Sequence, residues 1–251
     1  MENNLEQFGV VVLAAGMGKR MQSTMLKVMH PLHNRPLIDY VVGTVEKTNM
    51  ATKPVVVVCD TDSAVQDFLQ TRAEYAIQHD RLGTGHAVAV AEMKLKNKVE
   101  NVMVLYGDMP FVSSDSITRL MGRHVERGNT ITMVTFEVDD FNDWRSAFKS
   151  FSRIVRGADG HIARDVQFKD ASESELEIKE LNPCVYCFDS AWLWENLKKI
   201  GTQNVQKEYY LTDLIQMAIE QGEKISSISI EPKEALGINT KDDLEVAHTL
   251  N

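Results

Sequence analysis

The segment Leu13-Ala14-Ala15-Gly16-Met17-Gly18-Lys19-Arg20-Met21 leads from an apolar run into a loop of small residues with two cations just behind it. Small side chains let an anion or a base approach the backbone, whose N–H groups then act as donors. Two familiar phosphate loops are excluded. A dinucleotide fingerprint needs a third glycine where Met21 stands, and a P-loop needs Ser or Thr after Gly18-Lys19, where Arg20 stands. Taken alone, the segment fits an ordinary glycine turn with exposed cations equally well. Cys184 and Cys187 have the spacing of redox and zinc pairs. They fall in an apolar run read as a buried strand, where residues three apart point to opposite faces. No second pair exists to complete a zinc site, so the cysteines are read as structural.

These residues need a frame to hold them. Apolar runs at 9–13, 55–59 and 101–106 read as buried strands. Helical spacing alternates with them at 37–48, 64–71, 85–95 and 114–127, and 130–136 reads as a further strand. This order predicts an α/β fold, a Rossmann-like mixed, mostly parallel sheet with helices on both faces and ligands at the carboxyl ends of strands. Farther on, 139–151 reads as irregular, 152–157 with 161–168 as a hairpin, and acidic 170–180 as a solvated loop or edge. A strand at 182–188, helices at 191–200 and 210–221, a strand at 225–230 and a helix at 241–250 complete the reading. The expectation is a single domain over residues 1–251 with a lid-like sub-region at about 139–182.

Composition narrows the function classes. The chain has 251 residues, 27 Lys plus Arg and 36 Asp plus Glu, for a net charge of -9. That balance argues against a nucleic-acid partner, which would want a basic face, but not against a bound nucleotide. No apolar stretch approaches the ~18 residues of a spanning helix. The first eight residues are acidic and lack a cationic leader, so a cytoplasmic protein with no membrane partner is expected.

Leu13-Ala14-Ala15-Gly16-x-Gly18-x-Arg20-Met21, followed by Lys27-Val28, resembles the signature of the nucleotidyltransferases that activate sugar 1-phosphates. Further segments are similar to the motifs that follow it: Gln78 with Leu82-Gly83-Thr84-Gly85-His86-Ala87, then Leu105-Tyr106-Gly107-Asp108-Met109-Pro110. Glu208-Tyr209-Tyr210-Leu211-Thr212-Asp213 and Gly237-Ile238-Asn239 are similar to the last two. Order and spacing resemble, along nearly the whole chain, the uridyltransferase domain of the N-acetylglucosamine-1-phosphate uridyltransferases in this family. The resemblance implies the nucleotide-diphospho-sugar transferase fold. The left-handed β-helix acetyltransferase domain of the two-domain relatives, which trimerises, has no counterpart, so a monomer or homodimer is expected.

The implied reaction takes UTP and a sugar 1-phosphate to a UDP-sugar and pyrophosphate with Mg2+. The attacking phosphate oxygen is already anionic, so catalysis reduces to aligning two polyanions and neutralising the leaving group. The resemblance implies catalytic roles for Arg20, whose fork matches phosphate oxygens, and for Lys27, a compact charge. It implies nucleotide binding by Leu13, Ala14, Ala15, Gly16, Gln78, Gly83 and Thr84, with the Gln78 amide offering donor and acceptor to uracil. Sugar contacts are implied for Tyr106, Gly107, Ser152, Gln167 and Asn182. Asp108 and Asn239 are implied Mg2+ ligands, hard oxygens of the kind that ion takes. A helix N-cap is the competing reading for both, and His86 is read as starting a helix.

The sugar half departs from the family pattern. Leu26 replaces a proline before Lys27, and Ser150-Phe151-Ser152-Arg153 replaces Gly-Tyr-Gly-Arg. Gln167 replaces a glutamate, and Asn182-Pro183-Cys184 replaces Asn-Thr-Gly with loss of a backbone N–H. The expectation is retained UTP binding with altered sugar choice. N-acetylglucosamine 1-phosphate leads. The alternatives are another hexose 1-phosphate, dTTP in place of UTP, or a non-catalytic nucleotide-binding regulatory subunit on the same fold.

Overall fold

The computed structural model describes residues 7–48 and 50–250. Most of the N-terminal stretch read above for a leader lies outside them. The first half runs β1 (Phe8–Leu13), a small ribbon of β2 (Pro31–Leu32) and β3 (Arg35–Pro36), α1 (Leu37–Glu46), β4 (Val55–Cys59) and α2 (Ala64–Leu69). It continues with β5 (Glu74–Gln78), α3 (Thr84–Ala89), α4 (Glu92–Leu95), β6 (Asn101–Tyr106), α5 (Ser114–Arg127) and β7 (Ile131–Glu137). The second half holds the hairpin β8 (Ser152–Arg156) and β9 (Ile162–Val166), then α6 (Glu173–Leu176), β10 (Glu180–Asn182), β11 (Tyr186–Asp189) and α7 (Ser190–Asn196). It ends with α8 (Asp213–Glu220), β12 (Ile225–Ser229) and α9 (Lys241–Thr249).

The strands form one mixed sheet in the order β5-β4-β1-β6-β11-β7-β10-β8-β9, with β12 on β7. β5, β4, β1 and β6 are mutually parallel, while β11 runs antiparallel between β6 and β7. Successive side chains of a strand face opposite sides, and Val10, Val11 and Val12 are all fully buried. Both faces of the parallel half are therefore covered, as the unbroken apolar runs require. The register matters for function. Leu13 pairs with Tyr106 and with Val57, so β1 and β6 end level and the small-residue loop lies beside Gly107 and Asp108.

The structure departs from the sequence reading most clearly in four places. β5 has no counterpart in the sequence pattern, because its burial only alternates along an edge. The run 85–95 is two short helices rather than one. The acidic segment 170–180 contains α6, started by a capping box between Ser172 and Glu175. Residues 182–188 are two strands, not one. Pro183 cannot donate to a ladder, Cys184 sits at φ +63, and the Cys184 N–H is taken by Asn182 Oδ1 at 2.8 Å. The expected lid region extends the same sheet through β10, β8 and β9.

Candidate active site

Three adjoining cavities lie along the carboxyl ends of β1, β6 and their neighbours. The first, ≈ 620 Å³, is walled by Leu13, Ala15, Gly16, Gln78, Gly83 and Thr84. The second, ≈ 460 Å³, is walled by Arg20, Asp108, Ser152, Gln167, Asn182 and Asn239. The third, ≈ 620 Å³, lies beyond Gln167 toward Tyr210 and Thr212. Tyr106 lines all three, and Lys27 and Asp108 line the first two.

In the first cavity the loop geometry explains its glycines. Gly18 has φ +62, and a Cβ there would lie 2.6 Å from Lys27 Cβ, so the lysine stem rests on the loop backbone. Gly83 has φ +110, and a Cβ there would lie 2.6 Å from Tyr209 O. Tyr209 N donates to Leu82 O at 2.7 Å and Gly85 N to Tyr209 O at 2.8 Å, which laces the second and fourth motifs together. Thr84 Oγ1 accepts from Leu211 N at 3.0 Å in the same seam.

Two expected base contacts are narrowed. The Ala14 N–H donates to Val57 O at 2.9 Å, so it is committed to the sheet and not to a ligand. Gln78 was expected to offer both donor and acceptor. Its Nε2 donates to Gly83 O at 3.2 Å and to His86 Nδ1 at 3.1 Å, so its Oε1 is the atom left for a ligand. Arg81 is a residue the sequence reading missed. It lines the first cavity and donates from Nε to Ala15 O at 3.0 Å. Its only sequence signal is its place between Gln78 and Gly83.

The cations converge where the first two cavities meet. Lys27 Nζ donates to Asp108 Oδ2 and, at 3.1 Å, to Asn239 Oδ1. Arg20 Nη2 donates to the same Asn239 Oδ1 at 3.0 Å. Neither Asp108 nor Asn239 is a helix cap: Ser113 caps α5, and Thr240 caps α9 through a box with Asp243. Their side chains are thus free for other work. The Asn239 side-chain amide is aimed by Nδ2 donating to Gly237 O at 3.2 Å, and the backbone N–H of Asn239 donates to Asp243 Oδ2 at 2.9 Å. Ile238 N donates to Asp108 O at 2.9 Å, fastening the third motif to the last.

The sugar-side residues are placed unequally. Gly107 does not wall any of the three cavities. A Cβ on it would lie 2.9 Å from Ile38 Cδ1, so glycine there serves close packing. Asn182 walls the second cavity, yet Nδ2 donates to Asp165 Oδ2 and to Tyr186 Oη, both at 2.8 Å, while Oδ1 holds the Cys184 N–H. Its side chain is fully occupied within the protein. Gln167 Nε2 reaches Thr212 Oγ1 at 3.4 Å. Behind this wall, Ser152 Oγ and Asp165 Oδ1 are buried and have no close hydrogen-bond partner among the described residues. Burial pushes the Asp165 carboxyl up to about 6, against the hydrogen bonding it receives. Burial likewise pushes the Cys184 thiol up to about 12, which suits a packed thiol and not a nucleophile.

Similarity to known proteins follows the same lines. The MobA-like NTP transferase domain matches residues 10–210. The "Bifunctional protein GlmU" of Exiguobacterium sp. strain AT1b is 38% identical over 98% of this chain and 53% of its own length. That of Clostridium acetobutylicum is 36% identical over 92% of this chain and 49% of its own. The chain thus spans about half the length of the curated relatives it matches. A solved structure from Bacillus anthracis, described as a glucose-1-phosphate thymidylyltransferase in complex with sucrose, superposes with a TM-score of 0.77. It is 16% identical and covers 97% of this chain and 94% of that one, a likeness of fold.

Proposed function

The chain belongs to the MobA-like NTP transferase domain family, and from that premise we propose that it transfers UMP from UTP to a sugar 1-phosphate. The products are a UDP-sugar and pyrophosphate, and N-acetylglucosamine 1-phosphate is the leading acceptor. One observation carries the reading: Lys27, Arg20, Asp108 and Asn239 meet where the first cavity adjoins the second. A nucleotide in the first and a sugar phosphate in the second would bring their phosphates together there. The choice of substrates follows from the resemblance of the motifs, in order, to those of the N-acetylglucosamine-1-phosphate uridyltransferases.

The residues fit a divalent cation of the Mg2+ type. Asp108 and Asn239 aim hard oxygens at one cationic centre, now the Lys27 ammonium. A protein contribution of two oxygens, with phosphates and water completing the shell, suits that ion. Bound there, it would offset charge developing on the departing pyrophosphate. The chain does the rest. Arg20 offers a guanidinium fork to phosphate oxygens, and Lys27 a mobile point charge. The sugar phosphate oxygen attacks the α-phosphorus as the bond to the β-phosphate oxygen breaks, and no proton needs to move. The free Oε1 of Gln78 accepts from a ring N–H, which uracil and thymine carry at N3 and cytosine does not.

A second reading within the class rests on the sugar wall. Ser152, Pro183 and Cys184 replace small or N–H-bearing residues, and Asn182 is occupied by Asp165. These changes favour a hexose 1-phosphate other than the acetamido sugar. Pyrophosphate release with UTP, dTTP or CTP against a panel of hexose 1-phosphates tests both. Turnover with UTP and one sugar, and little with CTP, is expected. Release from no pair would overturn the proposal, and equal use of CTP would overturn the role of Gln78.

A further inference from the structure

We propose that the Lys27 ammonium is an internal stand-in for the divalent cation, so that the metal must displace it to bind and binds more tightly once a nucleotide draws it away. The inference rests on the reading of Asp108 and Asn239 as metal ligands.

Asp108 is 6% exposed, and a carboxylate so deeply placed is costly unless a cation neutralises it. Lys27 does so, and the two side chains are 17% and 8% exposed. The same ammonium takes Asn239 Oδ1, whose orientation is fixed from the other end of the amide by Gly237 O. An amide oxygen that accepts from both Lys27 and Arg20 and is held in place behind is a cation acceptor by construction. A divalent ion cannot share these oxygens with an ammonium, because the two would sit at contact distance with like charge. Lys27 must therefore leave before the ion binds.

The structure also shows where the lysine can go. Its stem lies on Gly18 in the first cavity, and its side chain walls both cavities. Phosphates in the first cavity would draw the ammonium toward them, and its departure would release Asp108 and Asn239 to the metal. Each ligand then tightens the other by the same factor, as linkage requires. Lys27 has two posts: it balances Asp108 at rest and the nucleotide phosphates in the complex.

Binding of Mn2+ alone to the full chain, followed by the loss of its free electron paramagnetic resonance signal, tests this. Lys27→Met should bind Mn2+ at least tenfold more tightly than wild type with no nucleotide added. Combining it with Asp108→Asn should cancel the gain. Equal or weaker binding by Lys27→Met, with binding still sensitive to Asp108→Asn, overturns the inference while leaving the metal site standing. A gain that survives Asp108→Asn removes Asp108 from the metal site and the inference with it. Should Lys27→Met fail to fold, wild type carries the test. Acetylation of the Lys27 amine by an N-hydroxysuccinimide ester, mapped by mass spectrometry, should rise several-fold when millimolar Mn2+ is added alone. No rise overturns the inference.

Discussion

Replacing Asp165 by asparagine should stabilise the protein at neutral pH and do so in a pH-dependent way. The residue as a whole is partly exposed, but its carboxyl Oδ1 is buried with no close hydrogen-bond partner among the described residues. Its pKa rises from 3.8 to about 6 in the fold, with burial the leading cause. A folded pKa above the unfolded one means the group favours the fold while protonated. That contribution is complete below about pH 4 and is lost as pH climbs through about 6. The shift is about two units, worth roughly 3 kcal/mol of cost to the ionised form at pH 7. Asparagine cannot ionise. Its carbonyl can still accept from Asn182 Nδ2, and its NH2 can donate to Ser152 Oγ, which lies beside the carboxyl. Denaturant unfolding of both proteins from pH 4 to 8 gives the difference directly, since groups common to both cancel. The variant should gain about 2–3 kcal/mol at pH 7.5 and little at pH 4. A gain independent of pH, or a loss at pH 7.5, would refute the argument that Asp165 is an uncompensated buried charge.

His124 should act in the opposite sense across an overlapping range. Its pKa is lowered from 6.5 to about 4 by burial, so its stabilising contribution is whole above pH 6.5 and fades as pH falls toward 4. That is about 3 kcal/mol, and His124→Gln should flatten the acid side of the unfolding profile, an unchanged slope counting against it. Gln167→Glu should raise kcat/KM for N-acetylglucosamine 1-phosphate about tenfold if the pocket keeps that sugar, because a carboxylate accepts with both oxygens. A fall on the preferred sugar would mean a rebuilt pocket, and no change with any sugar would place Gln167 outside it. Arg20→Ala should lower kcat/KM for UTP by a hundredfold or so while sparing the sugar phosphate, since a charge-assisted contact to the leaving group is lost. Unaltered UTP dependence would make Arg20 surface charge.

The parallel half of the sheet could be read from sequence because Val10–Val12 and Val55–Val58 are apolar at every position, which only strands buried on both faces require. β5 escaped because Glu74 and Ile77 are exposed along an edge and leave no such run. The strand expected at 182–188 failed at Pro183, where a missing N–H and the positive φ of Cys184 outweigh the surrounding apolar residues. Cap readings for Asp108 and Asn239 were open until Ser113 and Thr240 proved to hold those positions. The site itself was legible as a set of residues, not as a set of free atoms. Nothing in the sequence says that the Gln78 NH2 is taken by Gly83 and His86, or that Asn182 is taken by Asp165, 17 positions away. Those commitments arise from strands that meet only after folding, and they decide which atoms a ligand can use.

On the proposed reading, Asp108 and Asn239 gather a cation where two phosphate-bearing substrates meet. Pyrophosphate release from UTP and a hexose 1-phosphate with Mg2+, compared between wild type and Asp108→Asn, tests it most directly. The substitution keeps the side chain's shape and removes one negative metal ligand, so turnover should fall by several orders of magnitude while thermal unfolding stays near wild type. A folded Asp108→Asn protein that turns over at close to the wild-type rate under limiting Mg2+ would contradict the account.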